Sequence, residues 1–393
     1  MVMQEVVAVY LCVPREIRPG ERRVALTPDI VGQLIKKGHK VGIETGAGLD
    51  AQMPDEFYVK AGAEILPDAK SVYQNADVLL KIRAPEASEL ALLKPGTVVV
   101  AMLAPLAEPQ VAKDLAAAKV TSFSLDLMPR TTFAQNMDVL SSMSTVAGYR
   151  AVLASALLAE RFFPMLMTAA GTIAPAKALV LGAGVAGLQA IATAKRLGAV
   201  VQAFDVREAS REQVESLGAS FLSVPVTGGE GEGGYARALA QDEEQRERDA
   251  LAEPVRKADV VISTAMVPGR KAPVLISREM VEAMHTGSVI IDMAAETGGN
   301  CELTKPGERI VAANGVIIDG TLNLPATMPQ PASQLYSKNL QTFLNHMFST
   351  WVKETEKPAD LGPVPDEEVL KGTCVTFNGE VVHAATRDRL KAN

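Results

Sequence analysis

The stretch "ALVLGAGVAGLQAIATAKRLGA", residues 178–199, constrains the fold of this chain more than any other feature. An apolar run is followed by Gly182, Gly184 and Gly187 in GxGxxG spacing, and then by a helical pattern. The first glycine permits a tight turn, the second lets a pyrophosphate approach the backbone, and the third lets helix and strand pack closely. The helix N-terminus also favours negative charge. This order predicts a dinucleotide-binding unit.

An acidic residue stands where such a unit needs one. Asp205 ends the next predicted strand, 18 residues after Gly187. A carboxylate there accepts hydrogen bonds from a ribose diol and repels a 2′-phosphate, so NAD(H) is predicted rather than NADP(H). Arg207 offers a positive charge that could bind a 2′-phosphate, but we expect it to lie along the adenosine instead.

The glycine spacing recurs at Gly229, Gly231 and Gly234 in "GGEGEGGY". The intervening Glu230 and Glu232 would repel a phosphate, so this second match is not interpreted as a phosphate site. Two alternatives remain for the segment. It is either a surface loop or a lid that closes over bound nucleotide, with the aromatic ring at position 235 as its contact.

The rest of the chain predicts an α/β protein. Short Val/Ile/Leu/Ala runs alternate with longer amphipathic stretches, which is typical of buried parallel strands joined by helices. The predicted strands are 6–13, 40–44, 77–82, 97–102, 120–125, 178–182, 200–205, 221–224, 260–264, 289–293 and 316–319, and the predicted helices are 28–37, 109–118, 145–161, 185–197, 208–216 and 333–348. We therefore expect two doubly wound parallel-sheet domains of the Rossmann-like class.

Two domains also suit a chain of 393 residues. Residues 1–143 and 333–393 are expected to form a discontinuous N-terminal-type domain, and residues 144–332 the Rossmann NAD(H)-binding domain. The two longest predicted helices are expected to cross between them. The Pro- and Glu-rich stretch 353–370 is predicted to be a linker or a surface strap.

Composition excludes several classes of function. The net charge of −7 argues against binding nucleic acid or an anionic membrane surface. The three cysteines, Cys12, Cys301 and Cys374, form no CxxC pair, so neither a zinc site nor a disulfide framework is expected. The apolar run near the N-terminus includes an acidic residue, Glu5, and is predicted to be a strand rather than a signal peptide. A cytoplasmic protein without a bound metal is expected.

Several further motifs carry a family resemblance. "PREIRPGERRVALTP", "MTAAGT", "DVR", "EQVESLG", "VPGRKAPVLI", "GSVIIDMAAETGGN" and "GTCV", with the glycine stretch, resemble the NAD(H)-binding component of proton-translocating nicotinamide nucleotide transhydrogenases over essentially the whole chain. The resemblance implies direct hydride transfer from NADH on this component to NADP+ on a separate NADP(H)-binding subunit. It also implies that a membrane-embedded proton-channel subunit couples this transfer to proton translocation.

The resemblance further implies an assembly. Family members form homodimers and act only with their partner subunits. The sequence ends at "RDRLKAN" without an apolar span. We therefore expect a separate subunit, held at the cytoplasmic face of the membrane by protein contacts.

The segment "RTTFAQNMDVLSS", residues 130–142, matches the nicotinamide-positioning loop of this family. Hydride exchange between two nicotinamide rings releases no proton, so it needs two rings held at reacting distance rather than an acid or a base. Arg130, Gln135, Asp138 and Ser141 are the implied catalytic residues. The alternative is that they only cap the long helix that follows. The resemblance also implies nucleotide contacts from Thr131, Thr132, Val185, Ala186, Val206, Gly234, Tyr235 and Met266, in addition to Arg130, Gln135, the glycine loop, Asp205 and Arg207.

Two other functions fit some of these residues. The first is alanine dehydrogenase, because Arg15 and Lys81 match residues expected to contact a keto acid in that family. Its catalytic histidine is missing, since Met102 or Ala104 takes that place, and Glu296 stands where its aspartate is expected. Neither methionine nor alanine shuttles a proton. Arg15 and Lys81 would then be structural, ion-paired residues. The second alternative is a non-catalytic NAD(H)-binding module.

Overall fold

The computed structural model describes residues 9–224, 241–266, 271–351 and 362–392. Within those ranges, no helix is both long enough and apolar enough to cross a membrane. Gly234 and Tyr235, which were predicted to contact nucleotide, lie outside the described residues, as does the "GGEGEGGY" segment.

The described part of the chain contains these strands and helices, in chain order. The strands are β1 (Tyr10–Val13), β2 (Lys40–Glu44), β3 (Glu64–Leu66), β4 (Val78–Arg83), β5 (Val98–Met102), β6 (Thr121–Ser124), β7 (Leu166–Thr168), β8 (Gly171–Ile173), β9 (Lys177–Leu181), β10 (Val200–Phe204), β11 (Ser220–Phe221), β12 (Val260–Ser263), β13 (Val289–Asp292), β14 (Arg309–Val311), β15 (Ile317–Asp319), β16 (Cys374–Phe377) and β17 (Glu380–Val381). The helices are α1 (Pro28–Lys36), α2 (Asp55–Ala61), α3 (Ala69–Asn75), α4 (Ala87–Leu90), α5 (Gln110–Ala117), α6 (Val139–Leu158), α7 (Val185–Arg196), α8 (Arg211–Ser216), α9 (Gln241–Lys257), α10 (Arg278–Glu282), α11 (Pro329–Thr350), α12 (Glu368–Thr373) and α13 (Ala384–Ala392).

The chain divides into two compact units. The first comprises Met1–Met143 and Met328–Asn393, and the second comprises Ser144–Thr327. Each unit is built around its own sheet, with helices supplied by the connections between strands.

The sheet of the first unit has the order β17-β16-β6-β5-β4-β1-β2-β3 among the described residues. Its pairs are parallel except at one edge, where β16 runs antiparallel to both β6 and β17. The central strand β5 is buried at every position, which explains its uninterrupted apolar sequence "VVVAM". Helix α11 closes this core, where the Phe343 ring meets Phe123 edge-on at 5.6 Å.

The sheet of the second unit has the order β11-β10-β9-β12-β13-β15-β14 among the described residues. All its pairs are parallel except β14 with β15. The chain moves from β9 outward to β10 and β11, and then returns to place β12 on the other side of β9. The strand order therefore reverses between β9 and β12. In open α/β sheets, ligands bind beyond the carboxyl ends of the strands at such a reversal.

The predicted fold class is confirmed, since both sheets are dominated by parallel pairs. Several elements differ from expectation. Helix α6 begins at Val139 rather than at residue 145, because Asp138 caps it. Helix α12 occupies part of the stretch predicted to be a strap. The hairpin β7–β8 and the edge strands β16 and β17 were not predicted.

Helix α9 was also missed, for a physical reason. Its sequence "QDEEQRERDALAEPVRK" is highly charged and contains Pro254, which disfavours a helix interior. Its buried apolar stripe is short and includes Leu251 and Val255. Tertiary packing of that stripe stabilises a helix that the local sequence only weakly specifies.

Candidate nucleotide site

The glycine loop lies at the carboxyl end of β9. Gly182 has φ of +97°, in the left-handed region that favours glycine. A Cβ atom on Gly187 would come within 1.8 Å of the carbonyl oxygen of Gly182, so only glycine allows this close packing of helix and strand. A Cβ atom on Gly184 would meet nothing within 4 Å. The backbone at Gly184 is therefore open to a ligand, as the predicted pyrophosphate contact requires.

Two residues that the sequence did not single out hold this loop in place. The hydroxyl of Thr264, just after β12, lies 3.1 Å from the carbonyl oxygen of Gly182 and can donate to it. Gly148 of α6 approaches the first turn of α7, because a Cβ atom there would come within 2.1 Å of the carbonyl oxygen of Ala186. The start of α7, with the predicted contacts Val185 and Ala186, is therefore fixed from two sides.

Asp205 is nearly buried and its carboxylate is fully engaged. Its Oδ2 accepts hydrogen bonds from the backbone N–H of Ala183 at 2.7 Å and from Nη2 of Arg207 at 2.9 Å. Its Oδ1 accepts from the backbone N–H of Arg207 at 2.8 Å and from Nε of Arg207 at 2.9 Å. The predicted ribose-binding carboxylate thus also joins the glycine loop to the turn that contains Val206 and Arg207.

This geometry changes the expected role of Arg207. Its guanidinium makes a two-pronged ion pair with Asp205, so much of its positive charge is offset before any ligand arrives. A 2′-phosphate would have to compete with Asp205 for Arg207. A ribose diol would likewise have to share carboxylate oxygens that Arg207 already occupies.

Met266 is 40% exposed, in the loop after β12. The buried side chain of Asn300 positions this loop. Its Oδ1 accepts from the N–H of Ala265 at 3.1 Å, and its Nδ2 donates to the carbonyl oxygen of Ala265 at 2.9 Å and to that of Pro273 at 2.8 Å. Asn300 ends the quoted motif "GSVIIDMAAETGGN", but the sequence did not reveal this supporting role.

The loop 130–142 belongs to the first unit, and its residues divide by role. Asp138 caps α6, because its carboxylate accepts from the backbone N–H of Ser141 at 2.9 Å and from the Ser141 hydroxyl at 2.6 Å. The helix-capping alternative therefore describes Asp138 and Ser141 in this structure. Arg130, Thr132 and Gln135 are exposed, and Gln135 begins a single 3-10 turn.

One polar atom in this loop is left over. The hydroxyl oxygen of Thr131 is buried and has no hydrogen-bond partner among the residues that the structure describes. A buried hydroxyl without a partner is unfavourable, and a polar ligand group would relieve it. The loop therefore suits a polar ligand such as a nicotinamide ribose or carboxamide.

Helix α11 supports the same loop from below. Nδ2 of Asn339 donates to the carbonyl oxygen of Asn136 at 2.8 Å, and the ring of His346 meets the largely exposed ring of Phe133 edge-on at 5.3 Å. Asn339 lies 203 residues from Asn136 in the chain, so sequence patterns gave no sign of this contact.

The region that resembles a keto-acid site is arranged differently from a proton-transfer site. Nζ of Lys81 lies 2.8 Å from Glu89 and 3.3 Å from Glu16, and its side chain is only 1% exposed. The predicted ion pairing of Lys81 is confirmed. Burial raises the pKa of Glu16 despite the neighbouring ammonium group. Arg15 is instead exposed, and its backbone N–H donates to Glu44 at 2.8 Å.

The positions that replace the expected histidine carry no proton-transfer group. Met102 is buried at the end of β5, and Ala104 follows in a turn with φ of +50°. Asp126 accepts a hydrogen bond at 3.0 Å from the backbone N–H between them, at Leu103. In the second unit, Glu296 is exposed and accepts from the backbone N–H of Asn323 at 2.7 Å.

Comparison with known proteins supports the interpretation of both halves. Family models described as "Alanine dehydrogenase/PNT, N-terminal domain" and "Alanine dehydrogenase/PNT, C-terminal domain" match residues 12–147 and 151–384. The chain is 45% identical to a NAD(P) transhydrogenase subunit alpha of Rhodospirillum rubrum, over 95% of this chain and 98% of that protein. It is 30% identical to alanine dehydrogenase of Methanococcus maripaludis, over 95% and 94% of the two chains.

A solved structure agrees. The transhydrogenase from Sinorhizobium meliloti superposes with a TM-score of 0.82 and 42% identity, covering 96% of this chain and 99% of that one. Matches along nearly the whole chain, to both domains and to both kinds of relative, establish the descent of this protein: it belongs to the alanine dehydrogenase/PNT family, and it is more similar to the transhydrogenase alpha subunit than to the alanine dehydrogenase.

Proposed function

We propose that this chain is the NAD(H)-binding subunit of a proton-translocating NAD(P)+ transhydrogenase. Hydride passes directly between NADH bound here and NADP+ bound on a partner subunit. One observation carries the proposal: the glycine loop with Asp205 fits a dinucleotide, while the loop 130–142 offers groups that orient a ligand but none that transfers a proton.

NADH, when bound, supplies the hydride that is transferred. The residues of this chain would bind and orient it. The open backbone at Gly184 admits the pyrophosphate, and Asp205 accepts from the ribose diol. Arg130 and Gln135 orient the nicotinamide end. Asp138 and Ser141 act as positioning residues, since their mutual hydrogen bonds fix where α6 begins and thus the geometry of the loop.

The proposal extends to the assembly. The chain forms a homodimer and associates with an NADP(H)-binding subunit and with a membrane-embedded proton-channel subunit, which hold it at the cytoplasmic face of the membrane. Transfer is Re/Si-specific because each ring is held by one face. These points rest on the family resemblance and on the name of the Rhodospirillum rubrum relative, which is a subunit.

The two alternatives predict different behaviour. Alanine dehydrogenase must move protons as it makes and breaks an imine, and the positions held by Met102 and Ala104 offer no group for this task. A non-catalytic NAD(H)-binding module would bind nucleotide but would not transfer hydride in the presence of a partner subunit.

Reconstitution tests the proposal. The purified chain is mixed with NADH, and reduction of an oxidised NADP analogue is followed with and without the NADP-binding subunit. We expect transfer only when both subunits are present. The same chain is assayed alone with NADH, pyruvate and ammonium, where turnover at ordinary enzyme rates of about 1–1000 per second would favour alanine dehydrogenase. NADH binding without transfer to the loaded partner would favour the non-catalytic module.

A further inference from the structure

Glu247 is a buried carboxylate on α9, and only 4% of this residue is exposed. Leu251 and Val255 follow it at intervals of four residues and are fully buried in the same core as Phe204 and Leu181. Residues four apart share a helix face. Glu247 therefore extends the sheet-facing stripe of α9 by one turn.

The position of Glu247 along the sheet follows from the topology. Helix α9 ends at Lys257, three residues before β12 begins, so that end lies at the amino edge of the parallel strands. Glu247 is ten residues, or about 15 Å, further along the helix axis. The four residues of β12 span about 13 Å. Glu247 therefore lies at the level of the carboxyl edge, where Asp205 follows β10.

The surroundings of Glu247 are acidic. Burial and repulsion by the carboxylates of Glu244 and Asp205 raise the pKa of Glu247 from its ordinary value to about 7, against a smaller opposing effect of Arg248. Across the described ranges of the chain, Glu247 makes no ion pair. Arg248 instead contacts Glu244 at 3.8 Å.

The other elements packed against α9 add no neutralising charge at this place, as far as the described residues extend. Helix α10 contributes the buried side chains Met280 and Val281, and its charged residues are exposed. Strand β9 contributes Leu179 and Leu181 to the shared core. The cation nearest in the site is Arg207, whose guanidinium is held by Asp205.

We propose that Glu247 is a second determinant of nucleotide specificity in the adenosine-ribose subsite, next to Asp205. This rests on the proposed NAD(H) site. Asp205 and Arg207 together carry no net charge, so by themselves they do not strongly repel a 2′-phosphate. When Glu247 releases its proton to solvent, the three groups carry one net negative charge. Discrimination against NADP(H) then increases, whereas the uncharged ribose diol of NADH is much less affected.

The test compares dissociation constants for NADH and NADPH by titration calorimetry at pH 6.0 and pH 8.5. Three full-length proteins are used: the parent, Glu247→Gln, and the control Glu253→Gln, which changes an exposed glutamate of the same helix that pairs with Arg256 and Lys257. In the parent and the control, we expect the ratio of the NADPH constant to the NADH constant to be about tenfold higher than in Glu247→Gln at pH 8.5. At pH 6.0 this difference should shrink.

The 2′-phosphate itself ionises near pH 6, but all three proteins meet the same ligand, so comparing them removes this effect. A second measurement uses the nucleotide-free parent, where the carbon-13 resonance of the Glu247 carboxyl group should titrate near pH 7. If Glu247→Gln binds NADH normally and discriminates as strongly as the parent at pH 8.5, or if Glu247 titrates below pH 5, the proposal is wrong while the proposed function stands. If the parent binds neither nucleotide, both are wrong.

Discussion

The backbone N–H of Ala183 donates a hydrogen bond of 2.7 Å to Oδ2 of Asp205. The carboxylate predicted to read the ribose therefore also fixes the glycine loop, because Ala183 lies between the first two glycines of that loop. Removing the whole carboxylate would disturb both functions at once. A substitution that keeps an acceptor is the more informative one.

Asp205→Asn keeps a side-chain oxygen for Ala183 but removes the charge that holds Arg207. We expect NADH binding to weaken by about 1–3 kcal/mol, the scale of removing a partner from a hydrogen-bonded group. NADPH should gain relative to NADH, because Arg207 is released. Titration calorimetry with both nucleotides measures this. Equal affinities of the parent for NADH and NADPH would contradict the assignment of Asp205.

Gln135→Asn tests the ring-positioning loop. It keeps the amide but withdraws it by one methylene, so hydride transfer to the NADP-loaded partner should slow by on the order of a hundredfold. NADH affinity should change much less, since adenosine and pyrophosphate contacts remain. Stopped-flow transfer and equilibrium titration are compared, with Asn136→Ala as the neighbouring control. Transfer at the parental rate would mean that Gln135 does not orient the ring.

Asp138→Ala removes the N-cap of α6. We expect the free energy of unfolding in urea to fall by about 1 kcal/mol, as for other lost N-caps. Asp138→Ser retains a capping oxygen and should recover most of this loss. If Asp138→Ala leaves stability unchanged but abolishes transfer, then Asp138 contacts the nucleotide and is not a cap.

Two glycine substitutions separate folding from binding. Gly187→Ala places a methyl group 1.8 Å from the carbonyl oxygen of Gly182, so we expect a loss of stability of about 1–3 kcal/mol. Gly184→Ala has room for its methyl group and should fold like the parent, yet bind NADH poorly because the methyl group occupies the pyrophosphate path. Urea unfolding and NADH titration are measured on both proteins. Normal NADH affinity in Gly184→Ala would contradict the placement of the pyrophosphate.

Stability should depend on pH through Glu247. The folded protein holds the Glu247 proton more tightly than the unfolded chain does, with a pKa of about 7 against 4.5. Stability is therefore full below pH 4.5 and is lost as the pH rises towards 7, by about 3 kcal/mol from this group. Glu247→Gln should remove that contribution. Urea unfolding at pH 5 and pH 8 tests it, and an unchanged pH dependence in Glu247→Gln would refute the raised pKa.

Features that depend on neighbours along the chain could be predicted from the sequence alone. The glycine spacing, the strand before it and the acidic residue after the next strand are local patterns, and the structure contains a strand, a turn and a helix there. Apolar runs predicted the central strands in the same way. The start of α6 was misplaced by six residues, because its first turn is rich in serine and one capping residue, not an apolar period, sets the boundary.

Which charged and polar groups meet depends on the tertiary structure. Asp205 holds Ala183 from 22 residues away, Lys81 lies between Glu16 and Glu89, and Asn339 supports a loop 203 residues earlier in the chain. Periodicity along the sequence shows which face of a helix or strand is buried. It carries no information about which polar groups on other elements face the same place, because strand order and the crossovers between strands bring those groups together.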